Sequence, residues 1–343
     1  MVRVGVIGCG YWGPNLIRCF SEAEGSTVEG VSDLRPDRLA AIRNRYPSIE
    51  TTQSAEDLMA NPRIDAVVIA TPVSTHSDLV LKALEPGKHV LLEKPMTTST
   101  QSSMRLIEEA ERRKLVLMVD HTFVYTGAVR KIHQLIADGQ LGQLYYYDAV
   151  RINLGLFQND VDVIWDLAVH DISIMDYVLH LRPAAVSATG MSHVPGGKED
   201  IAYLTIFYED NLIAHVHANW LAPVKVRRTM IGGSRRMIVY DDVEPSEKVK
   251  VYDRGIAVEE SPESVVQMMI NYRVGDVWIP RLDTTEALQV EAAEFIASIQ
   301  QGKAPLTDGW AGLRTVQILE MATRSMKEKG RLIEFQAIDG AAA

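Results

Sequence analysis

The sequence predicts an α/β fold: a doubly wound parallel sheet at the N-terminus, followed by a largely antiparallel or mixed sheet with one face packed on helices. Three observations carry this. Strand-like and helix-like segments alternate strictly over residues 1–120. A glycine triplet joins the first strand to the first helix. After Asp120, runs of alternating apolar and polar residues joined by turn residues take over.

The elements follow in order. Val2 to Ile7 is a short apolar strand, and Pro14 stands where a first helical residue belongs, ahead of Leu16, Ile17 and Phe20 at helical spacing. A second strand runs from Val28 to Ser32, and Pro36 opens a helix through Leu39, Ile42 and Tyr46. The continuous apolar run from Ala66 to Ala70 suits a parallel strand covered on both faces. A helix over 74–84 ends before Gly87, a strand covers 88–93, and a helix over 100–113 leads into a strand over 115–119. Residues 1–120 are expected to form one domain.

Residues 121–343 are expected to form a second. Two helices, about 128–137 and 165–179, accompany strands over 144–152, 185–191, 202–208, 212–220, 226–231, 236–240 and 248–252. Turns are expected at Pro195-Gly196-Gly197, Glu209-Asp210-Asn211 and Gly232-Gly233-Ser234. Helices over 286–300 and 311–327 close the chain, ahead of a Gly-Ala-Ala-Ala tail.

Composition bounds the function. With 343 residues, 47% hydrophobic and 23% charged, the chain reads as an ordinary globular protein. Its net charge of −10, with no basic run, argues against nucleic acid as a partner. No apolar run approaches the ~20 residues of a membrane helix, so no membrane partner is expected. The first strand begins at residue 2 with no leader-like stretch before it, and Cys9 and Cys19 are too few for a disulfide framework. A cytoplasmic location is the expectation.

Gly8-Cys9-Gly10-Tyr11-Trp12-Gly13 matches G-x-G-x-x-G, a weak signal alone but one that here follows a strand and opens a helix. The first Gly permits the tight turn, the second lets backbone approach a pyrophosphate, and the third permits close helix–strand packing. The helix N-terminus adds free N–H groups and partial positive charge. Asp33, 20 residues beyond Gly13, ends the second strand, where a carboxylate accepts hydrogen bonds from ribose hydroxyls and repels a 2′-phosphate. The expected domain is a Rossmann domain and the expected cofactor is NAD. Arg35 and Arg38 soften the preference over NADP, and FAD or a merely structural turn are the competing readings.

Thr71-Pro72 and Glu93-Lys94-Pro95 end two further strands, where ligands of open α/β sheets lie, so both stretches are expected at the cofactor, with His76 beside them. A Lys before Pro is held in extended backbone, and its ammonium suits a hydrogen bond to a reacting alcohol oxygen. A solvent-exposed strand-end lysine is the plain alternative. In Trp165-Asp166-Leu167-Ala168-Val169-His170-Asp171, the residues Asp166 and His170 are four apart and share a helix face. A histidine there accepts a proton at neutral pH, and the carboxylate stabilises the imidazolium. A hydrogen-bonded core His, an N-capping Asp166 and a metal pair compete, although no third metal ligand announces itself. No metal is expected. His215 and His217 share one face of a strand and read as part of a wet or interfacial sheet face rather than as ligands.

These blocks resemble the Gfo/Idh/MocA oxidoreductase family in order and spacing over essentially the whole chain: Gly8 to Gly13, Ala70-Thr71-Pro72 through His76, Glu93-Lys94-Pro95, and Asp166 with His170. The resemblance implies an open-faced sheet in the second domain used for dimer or tetramer contacts, and Lys94, Asp166 and His170 as the catalytic trio. Tyr11-Trp12-Gly13-Pro14-Asn15, Arg151-Ile152-Asn153-Leu154-Gly155 and Trp165-Asp166-Leu167 are similar to the branch acting on nucleotide-linked sugars, which includes UDP-N-acetylglucosamine 3-dehydrogenases. That likeness implies a 3-keto nucleotide sugar made for a partner aminotransferase in lipid A or surface-polysaccharide assembly. Val169 departs from the proline expected before the His in this branch. Arg151 and Asn153 are then expected at the diphosphate or sugar, together with Asp166 and His170. A dehydrogenase of a free polyol such as inositol, and a catalytically silent NAD-binding sensor, are the alternatives.

Overall fold

The computed structural model describes residues 1–155, 161–195, 197–209, 211–258 and 270–336. Gly196 and Asp210 of the expected turns, and the Gly-Ala-Ala-Ala tail, lie outside the described residues. The chain divides into two compact units, one of residues 1–126 with 285–320 and one of 127–284 with 321–343.

The first unit is built on a parallel sheet of β1 (Val2–Ile7), β2 (Ser26–Ser32), β3 (Glu50–Thr52), β4 (Ala66–Ile69), β5 (His89–Glu93) and β6 (Leu117–Asp120). Their order is β3-β2-β1-β4-β5-β6, the doubly wound order expected of a dinucleotide fold. The connecting helices are α1 (Gly13–Glu22), α2 (Pro36–Arg45), α3 (Ala55–Ala60), α4 (His76–Leu84) and α5 (Thr100–Arg113). Every residue of β4 is buried, the burial its unbroken apolar run requires. β3 and α3 are additions to the expected elements. Glu50-Thr51-Thr52 is a three-residue edge strand without an apolar residue, and α3 is held by Ser54, whose hydroxyl accepts from the Asp57 amide. Register matters for function: Ile7 lies opposite Ser32 and Ile69, and Glu93 opposite Asp120. The residues that follow these strand ends, Gly8, Asp33, Ala70, Lys94 and His121, therefore emerge along the carboxyl edge of one sheet.

The second unit begins with α6 (Gly127–Ala137) and holds a nine-stranded mixed sheet. Its central strand β7 (Leu144–Ile152) pairs parallel with β10 (Ile213–Asn219) and antiparallel with β11 (Val226–Gly233). Beyond β10 lie β9 (Ile201–Tyr208) and β8 (Pro183–Met191); beyond β11 lie β12 (Met237–Asp241) and β13 (Val249–Tyr252). Burial alternates along β7, β9 and β10, as in a sheet with one face covered. Tyr147, Ala149 and Arg151 of β7 point to the covered side, where α7 (Val169–Leu179) lies and Tyr147 Oη donates to the Asp171 carbonyl at 3.2 Å. On the other face Tyr203 and Phe207 remain 41% and 38% exposed, and Tyr203 stacks on His217 at 4.4 Å. His215 and His217 thus belong to an aromatic patch on the open face.

Two late helices follow, α8 (Ala287–Gln301) and α9 (Gly309–Lys327), and a short strand, Ile333–Glu334, pairs with β8 at the edge of the sheet. α8 joins the first unit, where Phe295 meets Phe20 of α1 edge to face at 6.0 Å and Arg18 pairs with Glu286 at 2.5 Å. α9 contributes residues through Glu320 to the first unit and from Met321 to the second. Sequence order suggests one contiguous second domain, because an apolar helix face does not name the sheet it covers. No helix among the described residues is long and apolar enough to cross a membrane.

Candidate active site

In the first unit the glycine loop leaves β1 with Gly8 at φ 99°, and a Cβ there would stand 2.3 Å from the Ala70 carbonyl oxygen, so only glycine fits. Gly13 opens α1. Around Gly10 a Cβ would meet only Arg38 Nη1, at 3.8 Å, leaving the backbone open to a pyrophosphate. Tyr11 and Trp12 stand 81% and 42% exposed, edge to face, at the mouth of this loop.

Asp33 is buried at the end of β2. Its Oδ2 accepts from the Cys9 amide at 2.7 Å and its Oδ1 from the Arg35 amide at 2.8 Å, while Arg38 Nη1 lies 3.3 Å away. The carboxylate therefore braces the glycine loop as well as standing where a ribose would bind, a second duty that spacing alone does not disclose. These features fit an NAD: a tight turn, open backbone at the second glycine, a helix N-terminus and a fixed carboxylate.

After β4, Thr71 and Thr75 share a hydrogen bond of 2.7 Å, and Thr75 Oγ1 donates to the carbonyl of the exposed Pro72 at 2.8 Å. His76, expected at the cofactor, is fully buried instead. Its Nδ1 lies 3.0 Å from the Pro95 carbonyl and its Nε2 2.9 Å from the Thr71 carbonyl. The ring ties two strand-end loops together and has no surface left for a ligand. Pro95 is buried and follows a cis Lys94–Pro95 peptide, where extended trans backbone is the ordinary expectation; Lys94 itself is half-buried.

Behind Lys94 lies a group of carboxyls that sequence reasoning missed. Glu93, Asp120 and Glu291 are all buried, on β5, β6 and α8. The Lys94 amide donates to Glu93 Oε2 at 3.2 Å, and the Thr122 hydroxyl donates to Asp120. Burial, and then the neighbouring Asp120, push the Glu93 and Glu291 carboxyls well above the usual range. The adjacent His121 is buried too, and burial with the charges of Lys94 and Arg314 lowers it to about 3, so its ring is neutral. Only Glu93 was visible as a site residue, because Glu291 is remote in sequence.

In the second unit the Asp166–His170 segment is not a plain helix. Ile164–Ala168 forms a π-helical turn that runs into α7, a feature often associated with functional positions. Asp162 starts it, its Oδ1 accepting from the amides of Ile164 and Trp165 at 3.0 and 3.3 Å, and burial pushes this carboxyl up to about 6. Trp165 is buried, its indole donating to Thr323 at 2.9 Å. Asp166 and His170 are half-buried, and Asp166 Oδ2 accepts from the Trp220 indole at 3.0 Å.

Arg151, expected at a diphosphate, is buried and forms a two-pronged ion pair with Asp171. The cause is register: Arg151 falls on the covered face of β7 with Tyr147 and Ala149, so its guanidinium enters the sheet–helix layer. Asn153, beyond the strand, is half-buried and pairs through its amide with the Asn219 carbonyl at 3.1 Å.

Residues 2–121 match the NAD-binding Rossmann domain of the Gfo/Idh/MocA oxidoreductases, and residues 129–239 match the C-terminal domain of the same family. The chain is 28% identical to a UDP-N-acetylglucosamine 3-dehydrogenase of Acidithiobacillus ferrooxidans, covering 92% of this chain and 94% of that protein. It is 22% identical to a myo-inositol 2-dehydrogenase of Thermotoga maritima, covering 99% and 100%. The solved UDP-N-acetylglucosamine 3-dehydrogenase GnnA of A. ferrooxidans superposes with a TM-score of 0.77 at 25% identity, covering 95% of this chain and 98% of that one. The chain belongs to the Gfo/Idh/MocA oxidoreductase family, whose NAD-binding Rossmann domain forms its N-terminal part.

Proposed function

We propose that the protein is an NAD-dependent dehydrogenase that oxidises a sugar hydroxyl, C3 of a UDP-linked N-acetylhexosamine such as UDP-N-acetylglucosamine, to the 3-keto nucleotide sugar. The observation that carries this reading is the near full-length likeness to a UDP-N-acetylglucosamine 3-dehydrogenase, at 28% identity over 92% of the chain. NAD, when bound at the glycine loop, supplies the hydride acceptor. His170 removes the hydroxyl proton as general base. Lys94 donates a hydrogen bond to the same oxygen and stabilises its developing negative charge. Asp166 orients the His170 ring and favours its charged form. Asn153 contacts the sugar or diphosphate.

The product is a ketone one transamination away from a 2,3-diamino sugar, so an aminotransferase is the expected partner, in the cytoplasm, on the way to lipid A or a surface polysaccharide. The open sheet face is the surface for homodimer or homotetramer contacts. A second reading, oxidation of a free polyol, is favoured by the match to a myo-inositol 2-dehydrogenase over 99% of the chain.

Reduced-nicotinamide formation with NAD and a panel of UDP-sugars and free polyols, with an aminotransferase to draw off ketone, tests the choice. Signal with UDP-N-acetylglucosamine or its uronate supports the first reading. Signal only with inositol transfers the assignment to the second. NAD binding without turnover of any secondary alcohol supports a catalytically silent NAD-binding protein.

A further inference from the structure

Trp220 directly follows β10 and is 1% exposed, among the largest buried side chains of the molecule. Its backbone is held on both sides: its amide donates to the Asp200 carbonyl at 2.9 Å and its carbonyl accepts from the Gly155 amide at 3.1 Å. The indole packs against Gly155, where a Cβ would stand 2.4 Å from Cδ1 and 3.1 Å from Nε1. Any side chain at 155 would displace the ring. With ring and backbone both fixed, the indole N–H has one direction, and it donates to Asp166 Oδ2 at 3.0 Å.

This accounts for a motif that the mechanism above leaves largely unused. Arg151-Ile152-Asn153-Leu154-Gly155 begins at a guanidinium bound to Asp171 and ends at the glycine that seats Trp220. In the segment from Asp166 to Asp171, which carries His170, the Asp171 end is thus held directly by Arg151 and the Asp166 end by Trp220, which sits against Gly155. A charge-assisted hydrogen bond from an aromatic donor suits this task, because burial and the contact with Gly155 restrict the rotamers open to the indole.

We propose that Trp220, seated on Gly155, is a positioning residue for Asp166: it fixes the carboxylate in the orientation in which it meets the general base. This rests on the reading of Asp166 and His170 given above, and the experiment separates the two. The full-length protein is labelled with ¹⁵N at its tryptophan indoles, of which there are five, and with ¹³C at its histidines. Trp220→Phe keeps the aromatic volume, removes the donor and assigns the Trp220 signal.

Asp166→Ala should shift the Trp220 indole proton resonance and move the titration midpoint of His170. Trp220→Phe should move that midpoint in the same direction. With whichever sugar or polyol is turned over, Trp220→Phe should lower kcat by about 10- to 100-fold while NAD affinity stays unchanged. A His170 midpoint that moves in Asp166→Ala but not in Trp220→Phe overturns the Trp220 proposal alone. A His170 midpoint unmoved by Asp166→Ala overturns the dyad on which it rests. Should Trp220→Phe fail to fold, a spectrum in which none of the five indole resonances shifts between the parent protein and Asp166→Ala would itself overturn the proposal.

Discussion

The Arg151 guanidinium donates from Nε and Nη2 to the two carboxylate oxygens of Asp171 at 2.7 and 3.0 Å, with side chains only 2% and 4% exposed. This pair joins the central strand of the second sheet to the helix that carries His170. Both charges are desolvated, so their mutual attraction offsets a cost that either would bear alone.

Breaking the pair from one side is therefore the damaging change. Asp171→Ala should cost about 3–5 kcal/mol of unfolding free energy, because Arg151 is left charged and buried. Arg151→Met combined with Asp171→Leu should recover most of that loss. Urea unfolding of the single and double variants measures both, and a double variant as weak as the single one would contradict this account.

The proposed chemistry makes a sharper demand on two side chains. Lys94→Ala and His170→Ala should each lower kcat by about 10²–10⁴-fold, the usual scale for a proton-transfer or hydrogen-bonding group in the transition state. NAD affinity, measured by fluorescence titration or calorimetry, should change little. Full turnover in both variants would remove them from the mechanism.

The proposed site makes Asp33 the determinant of cofactor choice; its Oδ1 takes the Arg35 amide and its Oδ2 lies 3.3 Å from Arg38. Asp33→Ala should reduce kcat/KM with NAD by about 10- to 100-fold, the value of hydrogen bonds to a charged group. It should also raise the NADP-to-NAD ratio, because the Arg38 guanidinium no longer faces a carboxylate there. A lower melting temperature is expected as well, since the Cys9 amide loses its acceptor.

The carboxyls of Glu93 and Glu291 are raised by burial and by Asp120, which gives stability a pH dependence of definite sign. A carboxyl whose folded value lies above its unfolded one binds its proton more tightly in the native state. Its contribution is complete below the unfolded value, about 4.3 for Glu, and is lost as pH rises through the folded value. Glu291→Gln cannot ionise. Its melting temperature relative to the parent should therefore climb between pH 5 and pH 9, by several degrees for each ~1–2 kcal/mol relieved. A difference that is flat with pH would mean that Glu291 is ionised in the folded protein throughout.

Much of the first sheet was legible because its signals are local. Apolar runs mark strands buried on both faces, Pro14 and Pro36 mark helix starts, and Gly8 can be recognised by what its backbone must do. The chain positions of Asp33, Lys94, Asp166 and His170 follow from spacing relative to those elements. β3 and α3 were not legible, being short and almost without apolar pattern.

By itself, then, the sequence determined the class of fold, the strand ends at which chemistry-bearing residues emerge, and the shared helix segment of Asp166 and His170. Tertiary structure alone decided which way long side chains go. Arg151 is turned inward to Asp171 by the covered face of β7, and His76 is spent on two carbonyls. Glu291 reaches Asp120 and Glu93 because α8 packs beside α1, and Trp220 reaches Asp166 across 54 residues. The physical reason is common to all four. Backbone periodicity is written within a few residues, whereas a buried polar group must be satisfied by whatever the folded chain brings near it.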